Sequence, residues 1–318
     1  MKIRTFFSSM SHVRFQQLGM LFVLIIMCTI FSIILPDFLQ ISNILNVLKQ
    51  ISVIAILAAG VTFVILTGGI DLSVGSVLAL AGVISVLLSK QGINSVVAML
   101  SGILVGALAG LVNGFLVARV RLSPFIVTLG SLTYVRGLAY VISGGYPIAL
   151  QSDLFKTAGA GTFLSIPIPI YIMLIVYLLS FFILKYTMFG RNVYAIGGNE
   201  EAAHLSGIKV NQNLILVYTL SGLLAGLGGI VLAGRLFSGQ PTAGQGFELD
   251  AIAAVILGGT SLTGGVGTIQ GTIIGALIMG VLSNALTLMN VDYYWQQVVK
   301  GVVIVLAVLI DRLRKKDK

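Results

Sequence analysis

Long apolar runs, each close to the length that crosses a bilayer and nearly free of charge, follow one another through almost the whole chain. They fall at 18–35, 51–67, 72–88, 95–118, 123–142, 167–184, 213–234, 268–289 and 295–310, with a shorter run at 251–257. Only 9% of the residues are charged and 57% are hydrophobic, with a mean hydropathy of +1.07. Soluble domains carry roughly 25% charged residues, so a water-soluble globular fold is excluded. The expected fold is all-α: a polytopic transmembrane helical bundle of about ten spans occupying 18–311. An N-terminal segment (1–17) precedes it and a basic tail (312–318) follows. An even count places both termini on one side, and their Lys and Arg make that side cytoplasmic. The same alternation puts Arg119, Arg121 and the segment 189–210 inside.

The net charge of +9 would point to nucleic acid in a soluble protein. Here it reflects the bias of Lys and Arg toward cytoplasmic loops and the pull of Arg312–Lys316 on anionic lipid headgroups, so no nucleic-acid partner is expected. A signal peptide at the N-terminus is disfavoured, because Leu35-Pro36-Asp37-Phe38 ends the first run where a small-residue cleavage site would stand. Residues 41–50 set Ile41, Ile44, Leu45 and Leu48 on one helical face, as in a helix entering obliquely from the outer interface. Gly102, Gly106, Gly110 and Gly114 recur every fourth residue in the fourth span and line one face. That stripe reads as a helix-packing groove, or else as a smooth wall for a permeating solute. Arg136, deep in the fifth span, is either functional or structurally paired. The Gly- and Ser-rich stretch 143–166 reads as an external loop. Lys300 lies near enough to an interface to snorkel outward.

A polar island, Phe189–Val210, interrupts the apolar pattern. Asn199 can cap a helix, Glu200 and Glu201 suit its positive first turn, and Gly207 supplies a left-handed stop. A helix of about two turns is too short to stand alone, so it must dock on something through small residues such as Ala202 and Ala203, with Leu205. The island reads as a contact surface.

Catalytic chemistry has no foothold. Two histidines and the single Cys28 leave no metal or disulfide framework, and a metal site is not expected. Neither Gly68–Gly75 nor Gly258–Gly265 contains the lysine of a phosphate-cradling loop, so this chain does not bind ATP by that motif. The carboxylates Asp71, Glu248 and Asp250 stand at span ends beside the glycine pairs Gly68-Gly69 and Gly258-Gly259. Asp71 reads either as a cap accepting from Ser73 or Val74, or as part of a gate. Glu248 and Asp250 suit the first turn of the short run. Val64–Gly69 and Val255–Gly259 echo each other, and paired Gly-interrupted spans in two halves of a chain are a pointer to a transport site, although so short an apolar match also arises by chance. Gly68, Gly69, Asp71, Glu248, Asp250, Gly258 and Gly259 are therefore the candidate translocation path or gate.

These residues carry a family likeness. GGNEEAAHLSGI (Gly197–Ile208) resembles the cytoplasmic loop of ABC-transporter permeases, with Glu201-Ala202-Ala203 followed by Gly207. ILTGGIDLSVGS (Ile65–Ser76), QPTAGQGFELDAIAAVILGGTSLTGG (Gln240–Gly265) and VVKGVVIVLAVLID (Val298–Asp311) are similar to the ribose-type branch of bacterial sugar permeases. The loop departs from the commonest signature in having Ile208-Lys209-Val210, with no proline, after the glycine. The resemblance implies a homodimeric permease of the bacterial inner membrane that is no enzyme. ATP and Mg would be held by a cytoplasmic ATPase subunit, and the sugar delivered by an extracytoplasmic binding protein. It implies that Gly197, Gly198, Asn199, Glu200, Glu201, Ala202, Ala203, Leu205 and Gly207 form the ATPase-coupling element. The expected solute is a monosaccharide, D-ribose first. Allose, another pentose or an autoinducer-2-like furanose is the alternative, and an ion-coupled carrier is a reading from another class.

Overall fold

The computed structural model describes residues 2–316, except for the side chains of 2–17, Ala307 and 310–316. The side chains of the expected N-terminal segment 1–17 and of the basic tail 312–318 thus lie outside the described residues. Helices α1 (Lys2–Ile34), α2 (Ile41–Leu66), α3 (Val74–Lys90), α4 (Ser95–Ala118) and α5 (Pro124–Ser143) form the first half. Strand β1 (Ile148–Ala149), helix α6 (Asp153–Ala160), strands β2 (Thr162–Phe163) and β3 (Ile166–Pro167), and helix α7 (Ile168–Tyr186) follow. The chain then runs through α8 (Met188–Gly198), α9 (Glu200–Leu205), α10 (Val210–Leu236), β4 (Ser238–Gly239), α11 (Phe247–Leu257), α12 (Ile269–Leu288) and α13 (Tyr293–Lys316).

Among the described residues six helices are long and apolar enough to cross a membrane, namely α2, α4, α5, α7, α10 and α12. Two shorter apolar helices, Leu18–Ile34 and α3, accompany them. The count of about ten is not reached on that measure: α3, α11 and the apolar part of α1, Leu18–Ile34, are short, and α13 is not among the six.

Helices α2 and α10 form the centre. From Ile51 to Leu66 α2 is buried at every position except Ile54, and a helix apolar on all sides belongs inside a bundle. The segment 41–50 is not a separate oblique helix, since α2 runs through it unbroken; neither Gly nor Pro stands there to stop it. On α4 the large side chains Leu100, Leu104, Leu108 and Leu111 face outward while Gly102, Gly106, Gly110 and Gly114 are buried. This inverts the soluble pattern, as expected where lipid is as apolar as leucine and close backbone approach supplies the packing.

The stretch 143–166 is not simply a loop. It contains α6, whose Phe155 is fully buried, and Gly159 of α6 lies so close to Gly234 and Arg235 of α10 that a Cβ there would meet their backbone. Strand β1 pairs antiparallel with β4 (Ile148↔Gly239), and β2 with β3. Lys300 does not snorkel outward: its Nζ donates to Asp250 Oδ2 of α11 at 3.0 Å, a charged partner inside the bundle.

Candidate functional site

The island begins as helix, where the sequence reading had only polar loop. Thr187 caps α8, its Oγ1 accepting from Gly190 N at 3.2 Å. Asn199 then breaks to an extended conformation (φ −163°, ψ 108°), and its Oδ1 accepts from Ala202 N at 2.8 Å. Glu200 and Glu201 stand in the first turn of α9, and Gly207 closes it at φ +83°, with Ile208 N donating to Ala203 O at 3.1 Å. Ala203 is buried with Ala118, Ile196, Val210 and Leu214, so α9 docks on its own chain through this residue. Glu201, Ala202 and Leu205 face outward, Leu205 at 83% exposure. The Glu200 carboxylate accepts from the Arg121 guanidinium at 2.5 Å, tying α9 to the α4–α5 turn.

Directly behind the island lies a glycine junction. A Cβ on Gly197 would land on the Leu66 carbonyl at the end of α2, and Gly265 N donates to that same carbonyl at 2.9 Å. A Cβ on Gly264 would meet Gly68 N at 2.7 Å and one on Gly265 would meet Gly198 at 3.0 Å. The ends of α2 and α8 and the turn after α11 thus touch backbone to backbone. Gly198 has open space around its own missing Cβ.

The two echoing segments have the same local geometry. After α2, Gly68 (φ +80°) donates to Ile65 O at 2.9 Å and Gly69 to Val64 O at 3.1 Å. After α11, Gly259 (φ +85°) donates to Ile256 O at 2.8 Å and Thr260 to Val255 O at 3.2 Å. Each is a left-handed helix stop with the crossed pair of amide-to-carbonyl bonds, and a glycine takes the positive φ each time. Gly69 packs under the Tyr218 hydroxyl, and Gly258 against the backbone of Gly271 on α12.

Asp71 lies two residues farther from α3 than a direct cap would, and is 1% exposed. Its Oδ1 accepts from Ser73 N at 3.0 Å and Ser73 Oγ at 2.6 Å, and its Oδ2 from Ser221 Oγ of α10 at 2.8 Å. Asn113 of α4 donates to Ser73 Oγ at 3.0 Å. The α2–α3 bend is thereby bound to two other helices. Glu248 Oε1 accepts from Gly246 N at 3.2 Å, and a Cβ at Gly75 would strike its Oε2. Asp250 holds Lys300. Among the described residues no hydrogen bond or ion pair joins Asp71 to either of the other two carboxylates, so these candidates occupy separate local networks.

Arg136 is structurally engaged: Nη1 donates to Pro241 O at 2.6 Å and Ala243 O at 2.7 Å. The α4 stripe meets α10, with Gly106 and Gly110 set against Gly222, Gly226, Tyr218 and Thr219, Gly114 against Ile215, and Gly102 against Ser85 of α3. Gly222 and Gly226, which complete this contact from the α10 side, were missed, although their spacing of four was a usable signal. Asn113, Ser221 and the pairing of Arg121 with Glu200 were missed as well, since polar residues at these separations carry no local pattern. No cluster of His, Cys, Asp and Glu suited to a metal occurs among the described residues.

Residues 43–308 match a family model described as branched-chain amino acid transport system / permease component. The ribose import permease protein RbsC of Escherichia coli K12 is 49% identical over 93% of this chain and 93% of its own length. That of Bacillus subtilis 168 is likewise 49% identical, with 93% of each chain covered. The D-allose transport system permease protein AlsC of Escherichia coli K12 is 42% identical over 95% of this chain and 93% of its own length. No solved structure matches. The relatives are transport permeases rather than enzymes, and the apolar helices fit a multi-pass membrane protein. The chain belongs to the ABC permease family of that model, described as branched-chain amino acid transport system / permease component.

Proposed function

We propose that this chain is the membrane-spanning subunit of an ATP-driven importer that carries D-ribose across the bacterial inner membrane. The observation that carries the reading is the 49% identity, along nearly the whole length, to ribose import permeases of both Escherichia coli and Bacillus subtilis. The allose permease at 42% and the L-arabinose permease of Escherichia coli at 39% are more distant, and those sugars are the second reading.

On this reading α1, α3, α11 and α13 join the six long helices to make ten crossings. Both termini and the island then lie in the cytoplasm, while β1, α6 and the β2–β3 hairpin face outward. Two copies form the pore, an extracytoplasmic binding protein supplies the sugar, and a cytoplasmic ATPase holds ATP and Mg. The exposed face of α9, Glu201, Ala202 and Leu205, docks on the ATPase, with Gly197 to Gly207 as the coupling element. Its movement reaches the span ends through the backbone contacts of Gly197, Leu66 and Gly265. The carboxylates in the interior are held by serine hydroxyls, backbone amides or a lysine. Glu248 keeps a buried Oε2 without a partner among the described residues, while the engagement of Asp71 by serines and of Asp250 by Lys300 supports ATP-driven transport over an ion-coupled carrier.

Uptake of radiolabelled ribose, allose and arabinose into proteoliposomes tests this. Ribose uptake is expected only with permease, ATPase, binding protein and ATP together. Uptake by the chain alone along an ion gradient would overturn the reading, and uptake of another sugar instead would replace ribose.

A further inference from the structure

After β4 the chain is non-helical until α11 begins at Phe247, and its depth can be read from Arg136. Arg136 follows Pro124 by twelve residues of continuous helix, about 18 Å along α5 at the helical rise, which is near the middle of a hydrocarbon layer roughly 30 Å thick. Its guanidinium holds the carbonyls of Pro241 and Ala243, so Thr242 between them is fixed at that depth. Irregular backbone in mid-membrane persists only where protein covers it or water reaches it. Pro241 and Gly244 are covered, whereas Thr242, Gln245 and, one turn on, Leu249 are exposed.

Neither the Thr242 hydroxyl nor the Gln245 carboxamide has a hydrogen-bond partner among the described residues, although a carboxamide can make about four such bonds. Facing hydrocarbon, those groups would be stripped of water with nothing in exchange. Beside Arg136 on α5, Thr133 is exposed, and open space surrounds the missing Cβ of Gly137. These polar groups are flanked by exposed Tyr134 and Leu138 on α5 and Leu249 on α11, and the surface is set back at Gly137.

We propose that Gln245 and Thr242 contact the solute in the translocation path, hydrogen-bonding sugar hydroxyls as the monosaccharide passes mid-membrane. The inference rests on the sugar-permease reading and adds the residues that would discriminate among polyhydroxylated solutes. Arg136 is a positioning residue that holds the loop at depth.

The test uses the complete reconstituted system. Gln245→Ala and Thr242→Val are expected to slow ribose uptake about tenfold each at sub-saturating sugar, the worth of one good hydrogen bond, while ATPase assembly is unchanged. In a Cys28→Ser background, which removes the single native cysteine, Gln245→Cys is expected to react with a charged, membrane-impermeant methanethiosulfonate. Sugar-loaded binding protein with ATP should slow that reaction. Leu104→Cys, on the outward face of α4, is the unreactive control. Normal uptake by both variants while the wild type transports sugar would overturn the inference. So would Gln245→Cys reacting no faster than Leu104→Cys, or disulfide-linking two copies with no loss of uptake. A wild type that transports no sugar would instead overturn the functional reading, with water access at Gln245 still read by the labelling.

Discussion

The Lys300 ammonium of α13 lies 3.0 Å from the Asp250 carboxylate of α11, and the two side chains are only 16% and 10% exposed. The pair ties the short helix to the last one. Breaking such a pair strands a charge, which costs more than the pair contributes when intact. Lys300→Met is therefore expected to destabilise the protein by about 3–5 kcal/mol. Lys300→Met combined with Asp250→Asn should recover most of that loss. Thermal unfolding in detergent reads both, and equal melting of the single variant and wild type would refute the pairing.

The α4–α10 contact predicts a large effect from a small change. Gly110→Leu would drive a side chain into the Tyr218 carbonyl, and Gly106→Leu into that of Gly222. Overpacking of about 1–3 kcal/mol or more should appear as lost monodisperse protein in size-exclusion chromatography. Leu104→Ala, at a position 59% exposed, should change little. Normal yield of both glycine variants would show that the helices do not approach as described.

Two neighbouring glycines in α8 should behave differently. Gly197→Ala places a methyl group on the Leu66 carbonyl, while Gly198→Ala meets nothing within 4 Å. On the proposed route of coupling, Gly197→Ala leaves the ATPase bound, seen by co-purification, but depresses ATP-dependent uptake at least about tenfold, as expected for a coupling loss of roughly 1–3 kcal/mol. Gly198→Ala stays near wild type. Equal uptake by the two variants would exclude the junction from the route.

The exposed side of α9 gives a further prediction. Glu201 has no partner among the described residues, so Glu201→Ala should leave folding unchanged and act only on coupling, read as hydrolysis without uptake. Gly207→Ala must adopt φ +83° at a local cost of about 1–2 kcal/mol, with the same loss of uptake. Glu200→Gln removes an exposed ion pair with Arg121, a change of about 0–1 kcal/mol in stability. Unaltered uptake in both Glu201→Ala and Gly207→Ala would dismiss a coupling role for the island.

Local features were legible where their cause lies within a few residues of chain. The span 95–118 coincides with α4, Asn199 caps the helix that follows it, and Gly68, Gly207 and Gly259 take the positive φ that ends a helix. Helix α8 was passed over because its sequence, MFGRNVYAIGG, mixes polar residues and glycine and resembles loop by composition. Helix α6 was hidden in the same way, its alanines and glycines reading as loop although Phe155 anchors it.

Amino-acid sequence by itself determined that this chain is a bundle of membrane helices, where most of the long helices run, and how the short α9 is capped and stopped. Hydrogen bonds between residues up to four apart and the transfer of apolar side chains from water decide those matters. Tertiary structure alone decided which apolar face turns inward, that Lys300 meets Asp250, that Ser221 reaches Asp71 across the bundle, and that Gly197 rests on Leu66. In a bilayer an apolar side chain is equally at home against lipid or protein, so hydrophobicity cannot say which neighbour it has. The choice falls to close backbone contact and to the matching of polar groups, which exist only once the helices have assembled.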